Sequence, residues 1–371
     1  MFITVILCFA VFYTSYSCAP IPHQAKVMGN HGWKVWENES FVSFEPAVKR
    51  YCVPGGWEAI GATVDRFGNA TFPAKSTGVI VKTEGFTTKT LPLGGSSNSV
   101  QVRYPKNTPE QELAGYFDLI YHSFIDVGQL YPNFHTEQLK THTVLITVGL
   151  AGDGSTFETS VYPNPSKDLT VFVRNKNHAR GEELFTHAVT HIFNRHFEEN
   201  LEYEKNQTPV PADDWQELEA TWSEITFRSG DDAREQRVKD LYAIHEAVFD
   251  ATSSPSLTYP FDDPKIFSDV HNKAVMQREH GGYAEEQYGH YVLAPLVMLA
   301  VDGMLEQKHS PTTVNLLLIQ IHTENKNFFA LLKEYLSEDE TSHVLNFLTG
   351  KEKIPYELLQ SGLQVRNASS T

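Results

Sequence analysis

Residues 182–197 have the sequence EELFTHAVTHIFNRHF, and the architecture expected for the chain depends on this segment. Most of its residues favour helices, so the segment predicts an α-helix. His187 and His191 are four residues apart, which places both imidazoles on one face of that helix. Two histidines at this spacing can bind one metal ion. Because the chain has 16 histidines, such a pair also arises by chance, and the alternative is two partly exposed helix histidines without a metal.

A second helical segment, residues 213–224, has the sequence DDWQELEATWSE. Glu217 and Glu224 are seven residues apart and share one face of the predicted helix. A carboxylate from a neighbouring helix is the usual third protein ligand of a two-histidine zinc site, which makes Glu217 a candidate ligand. For Glu224 we expect the plainer position of an acidic residue on a solvated face.

Together the two segments resemble the gluzincin metallopeptidases, especially their aminopeptidase N-like branch. In that family a helix with the motif HExxH is followed by a helix with a segment of the type NEGxA. His187 and His191 match the two zinc histidines, and Glu217 matches the glutamate ligand. The resemblance covers about residues 108–350 and implies one zinc ion bound by these three side chains.

A weaker match concerns the aromatic segment before a long apolar stretch. Tyr288, His290 and Tyr291 lie where the family has a helix that begins near a transition-state-stabilising tyrosine or histidine. The resemblance implies that one of the three has this role, and it does not choose among them. The alternative is a core helix with an aromatic N-terminus.

The chain departs from the family at Ala188, where the gluzincins have a glutamate. That carboxylate takes a proton from the attacking water and returns it to the leaving amine, and alanine can do neither. Glu183, one turn before His187, has three open roles: it orients His187, substitutes as the base, or is an ordinary helix partner. A rival alignment reads residues 183–187 as the degenerate zinc motif, which loses a ligand as well as the base. Both alignments predict an impaired peptidase.

The rest of the chain predicts an α+β fold with two domains. Residues 18–104 are expected to form a β-rich domain, and residues 105–371 a gluzincin-like peptidase domain with a small mixed sheet and a helical subdomain. Thr108 and Ser337 are predicted to cap helices. Helices are predicted at residues 108–127, 182–197, 213–227, 232–249, 283–305, 312–322, 327–336 and 337–348, and strands at residues 142–148 and 169–173.

The N-terminus predicts export from the cell. Residues 1–17 have an apolar run followed by small and polar residues, as in a signal peptide, so we expect a secreted protein. Cys8 would leave with the signal, and Cys18 and Cys52 remain as the possible disulfide pair. Acceptor sequences for N-linked glycosylation begin at Asn38, Asn69, Asn206 and Asn367.

Charge and hydropathy exclude two classes of partner. The formal net charge of −16 argues against nucleic acid and anionic membranes, which need clustered Lys and Arg. No later segment has the uninterrupted apolar length of a transmembrane helix, so no membrane partner is expected.

These observations leave three hypotheses about function. The first is a secreted metallopeptidase-like protein that is inactive in proteolysis, binds zinc, and acts by binding a peptide or protein in its cleft. The second is an active zinc-dependent hydrolase with a non-standard general base. The third is a metal-free secreted structural or adhesive protein.

Overall fold

The structure is a computed structural model that describes residues 36–37, 41–44, 50–60, 62–71, 78–84, 86–94, 99–132, 143–148, 157–160, 169–174, 181–194, 206–207, 210, 212–227, 230–251 and 288–368. Its strands lie mainly in the first half of the chain and its helices mainly in the second, so the expected mixture of small sheets and helices is confirmed.

The strands of the described residues are β1 Trp36–Glu37, β2 Phe41–Phe44, β3 Tyr51–Cys52, β4 Trp57–Ile60, β5 Thr63–Val64, β6 Asn69–Thr71, β7 Gly78–Lys82, β8 Phe86–Pro92, β9 Ser99–Pro105, β10 Thr143–Val148, β11 Phe157–Ser160 and β12 Leu169–Arg174. The helices are α1 Glu110–Leu130, α2 Gly181–Asn194, α3 Ala212–Phe227, α4 Asp231–Ala251, a π-helix at Gly289–Leu293, α5 Ala294–Gln307, α6 Val314–Glu324, α7 Phe328–Tyr335, α8 Glu338–Leu348 and α9 Tyr356–Ala368.

A five-stranded mixed sheet supports the helical part. Its strand order is β11-β12-β10-β9-β8, with β10 parallel to both neighbours and antiparallel strands at the two edges. Helix α1 lies between the parallel strands β9 and β10 in the chain. It provides the long crossover connection that parallel strands need. Since β8 precedes residue 104, β9 contains it and β10 follows it, this sheet spans the predicted domain boundary.

Helix α5 forms the centre of the helical part. Its residues from Ala294 to Leu305 are all buried, because the segment is apolar around its whole circumference. Its buried Asp302 lies 2.6 Å from Arg366 of α9, so even the charged residue of this helix has a partner. Helices α3, α4, α6, α8 and α9 all contact α5.

Two helix N-caps were predicted from the sequence, and the structure confirms one of them. Ser337 caps α8 as predicted, since its hydroxyl accepts from the Glu340 amide and the Glu340 carboxylate accepts from the Ser337 amide. The prediction that Thr108 caps α1 is wrong. Its hydroxyl donates to the Pro105 carbonyl at 2.8 Å, and the helix begins after Pro109 without a side-chain cap.

Helices α5 and α9 approach so closely that their backbones touch. A Cβ atom on Gly303 would lie 2.1 Å from the Leu358 carbonyl oxygen, and one on Gly362 would lie 2.2 Å from the Leu299 carbonyl oxygen. Only glycine fits at these two positions, because the neighbouring atoms belong to a helix backbone and cannot rotate away. Gly303 and Gly362 therefore determine how closely α9 packs against α5.

We expect Gly303→Ala to lower the free energy of unfolding by about 1–3 kcal/mol, because the added methyl group overpacks a rigid contact. Denaturant unfolding would measure the change. The matched control is Gly115→Ala in α1, where nothing lies within 4 Å of the new Cβ and removal of a helical glycine should stabilise by about 0.5–1 kcal/mol. Equal signs for the two variants would contradict the packing argument.

Several sequence expectations lie outside the described residues. They are the signal peptide at residues 1–17, Cys18 and the glycosylation sequence at Asn38. Cys52, the described member of the possible disulfide pair, is disulfide-bonded. Asn206 is exposed in a turn. Among the described residues, no helix has the length and apolar character to span a bilayer.

Candidate metal centre

The predicted histidine pair lies on α2, a helix enclosed by other elements. The helix contacts β11 and β12 of the mixed sheet, and also α1 and α3. Phe185, Val189 and Ile192 have no exposed surface, which anchors the helix to the core. His187 is only 8% exposed and His191 only 4%, so both histidines are buried and not partly exposed as the alternative expected.

Three donor atoms converge from α2 and α3. The Nε2 atoms of His187 and His191 are 2.9 Å apart, and each lies 3.3 Å from a carboxylate oxygen of Glu217. All three ligand atoms lie within 4.8 Å of one another. Zinc ligands at about 2.0–2.1 Å in a tetrahedral arrangement stand roughly 3.3 Å apart. The two distances to Glu217, which involve different carboxylate oxygens, match this spacing, and the distance between the Nε2 atoms is somewhat shorter.

His187 is supported by a chain of buried charges. Its Nδ1 lies 2.7 Å from a carboxylate oxygen of Glu224, and the other oxygen of Glu224 accepts from Arg237 at 2.5 Å. Arg237 also donates to Glu183 at 3.0 Å. Glu183 thus reaches His187 through Arg237 and Glu224.

The expectation that Glu224 lies on a solvated face is wrong, since the residue has no exposed surface. Helix α3 is covered by α2 and the π-helix rather than by solvent, so a polar residue facing them needs charged partners. Burial alone would lower the pKa of His187, but hydrogen bonds and charge from Glu217 and Glu224 outweigh it and raise that pKa to about 9 in the metal-free protein.

His191 is supported by different chemistry. Its Nδ1 lies 3.3 Å from the amide oxygen of Asn194, and the amide nitrogen of Asn194 donates to the buried carboxylate of Glu219. Burial would raise the pKa of Glu219, but the charge of His322 and hydrogen bonds from His322, Tyr131 and Asn194 lower it. These supporting residues were not predicted from the sequence. Only Asn194, three residues after His191 on the same helical face, had a local signal.

At Ala188, where the resemblance expects a glutamate, the structure has a buried methyl group. Ala188 has no exposed surface and no group that transfers protons. Glu183 pairs with Arg237 at 3.0 Å, and this ion pair holds its side chain in a supporting position. Because His187 and His191 both face Glu217, the geometry favours the alignment in which these two histidines are the paired ligands over the rival alignment.

The aromatic residues before α5 divide into two groups. The Tyr291 ring lies nearly parallel to the His187 ring, with centroids 6.0 Å apart, so Tyr291 lies beside one of the three candidate ligands. His290 contacts the Tyr291 ring. Tyr288 is fully buried, and its hydroxyl lies 2.5 Å from Nδ1 of His245. The geometry therefore favours Tyr291 over Tyr288 as a group that meets a ligand.

His245 explains why Tyr288 belongs to the core. Burial, with a contribution from Lys353, lowers the pKa of His245 to about 4, so the ring is neutral near pH 7. Its Nε2 accepts from the Ile354 amide at 3.2 Å, and its Nδ1 must then donate to the Tyr288 oxygen. The π-helix that follows, Gly289–Leu293, widens the turn between Tyr288 and Tyr291.

No protein-family model matches the chain, and no curated protein sequence matches it. Its neighbours among solved structures are members of the M1 zinc metallopeptidase family. The chain is 14% identical to the M1 zinc metallopeptidase of Deinococcus radiodurans, with a TM-score of 0.47, and the match covers 86% of this chain and 72% of that one. For a point mutant of the same protein the TM-score is 0.45 and 64% of its length is spanned.

An aminopeptidase N family protein of Idiomarina loihiensis is 13% identical, with a TM-score of 0.48 and 82% of this chain covered. The chain spans 55% of that protein's length, so it corresponds to about half of it.

Proposed function

We propose that the chain is a secreted zinc-binding protein of the gluzincin type that has lost peptidase activity and binds a peptide or protein beside its metal centre. The observation that supports this most directly is the convergence of His187, His191 and Glu217 next to a buried alanine, Ala188. A net charge of −16 favours a neutral or cationic ligand over nucleic acid.

The residues of the site provide the metal-binding part of peptidase chemistry and lack the proton-transfer part. His187, His191 and Glu217 would hold zinc, which supplies a Lewis acid that polarises a carbonyl oxygen. Tyr291 lies beside His187, where its hydroxyl would donate a hydrogen bond to a bound carbonyl group. Hydrolysis also requires a group that accepts a proton from water and delivers it to the leaving amine, and Ala188 has none. The site therefore binds a peptide without cleaving it.

We expect about one zinc per purified wild-type chain and none in His191→Ala, because a two-ligand site loses most of its affinity. Elemental analysis of both proteins, with a peptide-turnover assay on the same samples, would test this. The control is His122→Ala, which removes a half-exposed histidine of α1 and should leave the zinc content unchanged.

The outcomes separate the three hypotheses. Zinc without turnover supports the proposal. Zinc with chelator-sensitive turnover that His191→Ala abolishes would mean an active hydrolase with another general base. A folded wild-type protein without zinc would overturn the proposal and favour a metal-free structural or adhesive protein.

A further inference from the structure

The two candidate metal ligands on α2 differ in the partner of the ring nitrogen that faces away from the site. His187 has a carboxylate there, and His191 has the side-chain amide of Asn194, with 3.3 Å between Nδ1 and Oδ1. An amide presents an acceptor on one side and a donor on the other. The orientation of this amide therefore determines which nitrogen of His191 carries a proton.

Two acceptors settle the orientation of the Asn194 amide. Its nitrogen lies 3.0 Å from the backbone carbonyl oxygen of Gln216 and 3.3 Å from a carboxylate oxygen of Glu219. A flipped amide would place its oxygen against these two acceptors and leave three buried oxygens facing one another, which is costly. The amide oxygen must then face His191, and because that oxygen only accepts, Nδ1 of His191 is the donor.

The carboxylate of Glu219 is itself held in place from several sides. It has no exposed surface and receives hydrogen bonds from the Tyr131 hydroxyl at 2.8 Å and the Trp215 indole at 2.9 Å. His322 lies 2.7 Å from it and stacks on Tyr131, with centroids 4.2 Å apart. These partners hold the Glu219 carboxylate in one position. It therefore accepts a hydrogen bond from the Asn194 amide nitrogen in only one orientation of that amide.

We propose that Asn194 is a positioning residue that holds His191 as the tautomer with its proton on Nδ1, so that the Nε2 lone pair faces Glu217 and the metal position. The distance between the two Nε2 atoms, 2.9 Å, is consistent with this, since a hydrogen bond between them has a single proton. If Nδ1 of His191 carries the proton of that ring, Nε2 of His191 is the acceptor in this hydrogen bond. The statement that this tautomer favours metal binding rests on the proposed function. The assignment of the His191 proton to Nδ1 does not.

The direct test is nitrogen-detected NMR of the metal-free full chain with isotope-labelled histidine. We expect one ring with a protonated Nδ1 and an unprotonated Nε2, assigned to His191 by its loss in His191→Gln. In Asn194→Leu, which removes the acceptor, Nε2 of His191 should become protonated in a substantial fraction of molecules. The control Thr190→Val removes a neighbouring buried hydroxyl of α2 that donates to the Thr186 carbonyl, and it should keep the wild-type tautomer.

A second measurement uses zinc alone as the probe. Competition with a chelating dye should show zinc binding about 10–100-fold weaker in Asn194→Leu than in wild type, and unchanged in Thr190→Val. Wild-type His191 protonated on Nε2, or an unchanged tautomer in Asn194→Leu, would overturn the proposal. The wild-type spectrum needs no variant, so misfolding of Asn194→Leu does not prevent the test. The expected tautomer in a chain that binds no zinc would sink the proposed function and leave the role of Asn194 standing.

Discussion

Replacing Arg237 with methionine should lower the free energy of unfolding by about 3–5 kcal/mol, because it leaves buried carboxylates without their counter-charge. Arg237 is 6% exposed and bridges Glu224, which is fully buried, to Glu183, whose side chain is 14% exposed. Methionine replaces the apolar stem of arginine but not the guanidinium group, so most of the loss would come from the carboxylates left without a partner. Denaturant unfolding at neutral pH would measure it.

The matched control for this prediction is Lys239→Met on the same helix. Lys239 pairs with Glu235 at 2.6 Å, but both side chains are about half exposed. Exposed pairs of this kind contribute about 0–1 kcal/mol, so the control should change little. A similar small effect for the two variants would show that Arg237 does not hold the carboxylates as described.

The second prediction concerns Ala188, at the position proposed to lack a general base. If the remaining parts of the site are intact, Ala188→Glu should raise peptide turnover by about 10²–10⁴-fold over wild type, the contribution typical of a positioned general base. The measurement is hydrolysis of a peptide library in the presence of zinc, with and without a chelator. The gain should disappear when the chelator is added.

Ala188→Gln separates proton transfer from packing. Glutamine has nearly the shape of glutamate and would strain the buried position in the same way, but it cannot accept the proton. We therefore expect both variants to lose similar stability and only the glutamate variant to gain turnover. Equal activities in the two variants would refute the assignment of position 188.

The convergence of the three candidate metal ligands could be predicted from the sequence because their signals are short. His187 and His191 are four residues apart in one helix, and Glu217 lies in the next helix of the described chain. Their supporting residues were harder to find, because Arg237 and His322 reach the site from distant parts of the chain. No spacing of residues in the local sequence predicts such contacts.

The same distinction applies to the fold. Long periodic helices such as α1 and α3 were predicted nearly to their ends. Strand β11, Phe157–Ser160, was missed inside a segment rich in turn residues, because its pairing with β12 supplies what its local sequence lacks. Helix α9, Tyr356–Ala368, was also missed: polar residues dilute its periodicity, and the glycine contact with α5 has no local signature.

The separation of Glu219 from His322, 103 positions along the chain, has a consequence for the order of assembly during folding. Helix α2 can form in microseconds from local contacts, whereas closing a loop of this length is slow and entropically costly. The histidine pair would thus exist early as a weak, mobile chelator, and its rigid geometry would arise only after α6 has docked. An isolated peptide of residues 181–194 should therefore lack the rigid orientation that the folded chain gives to His191.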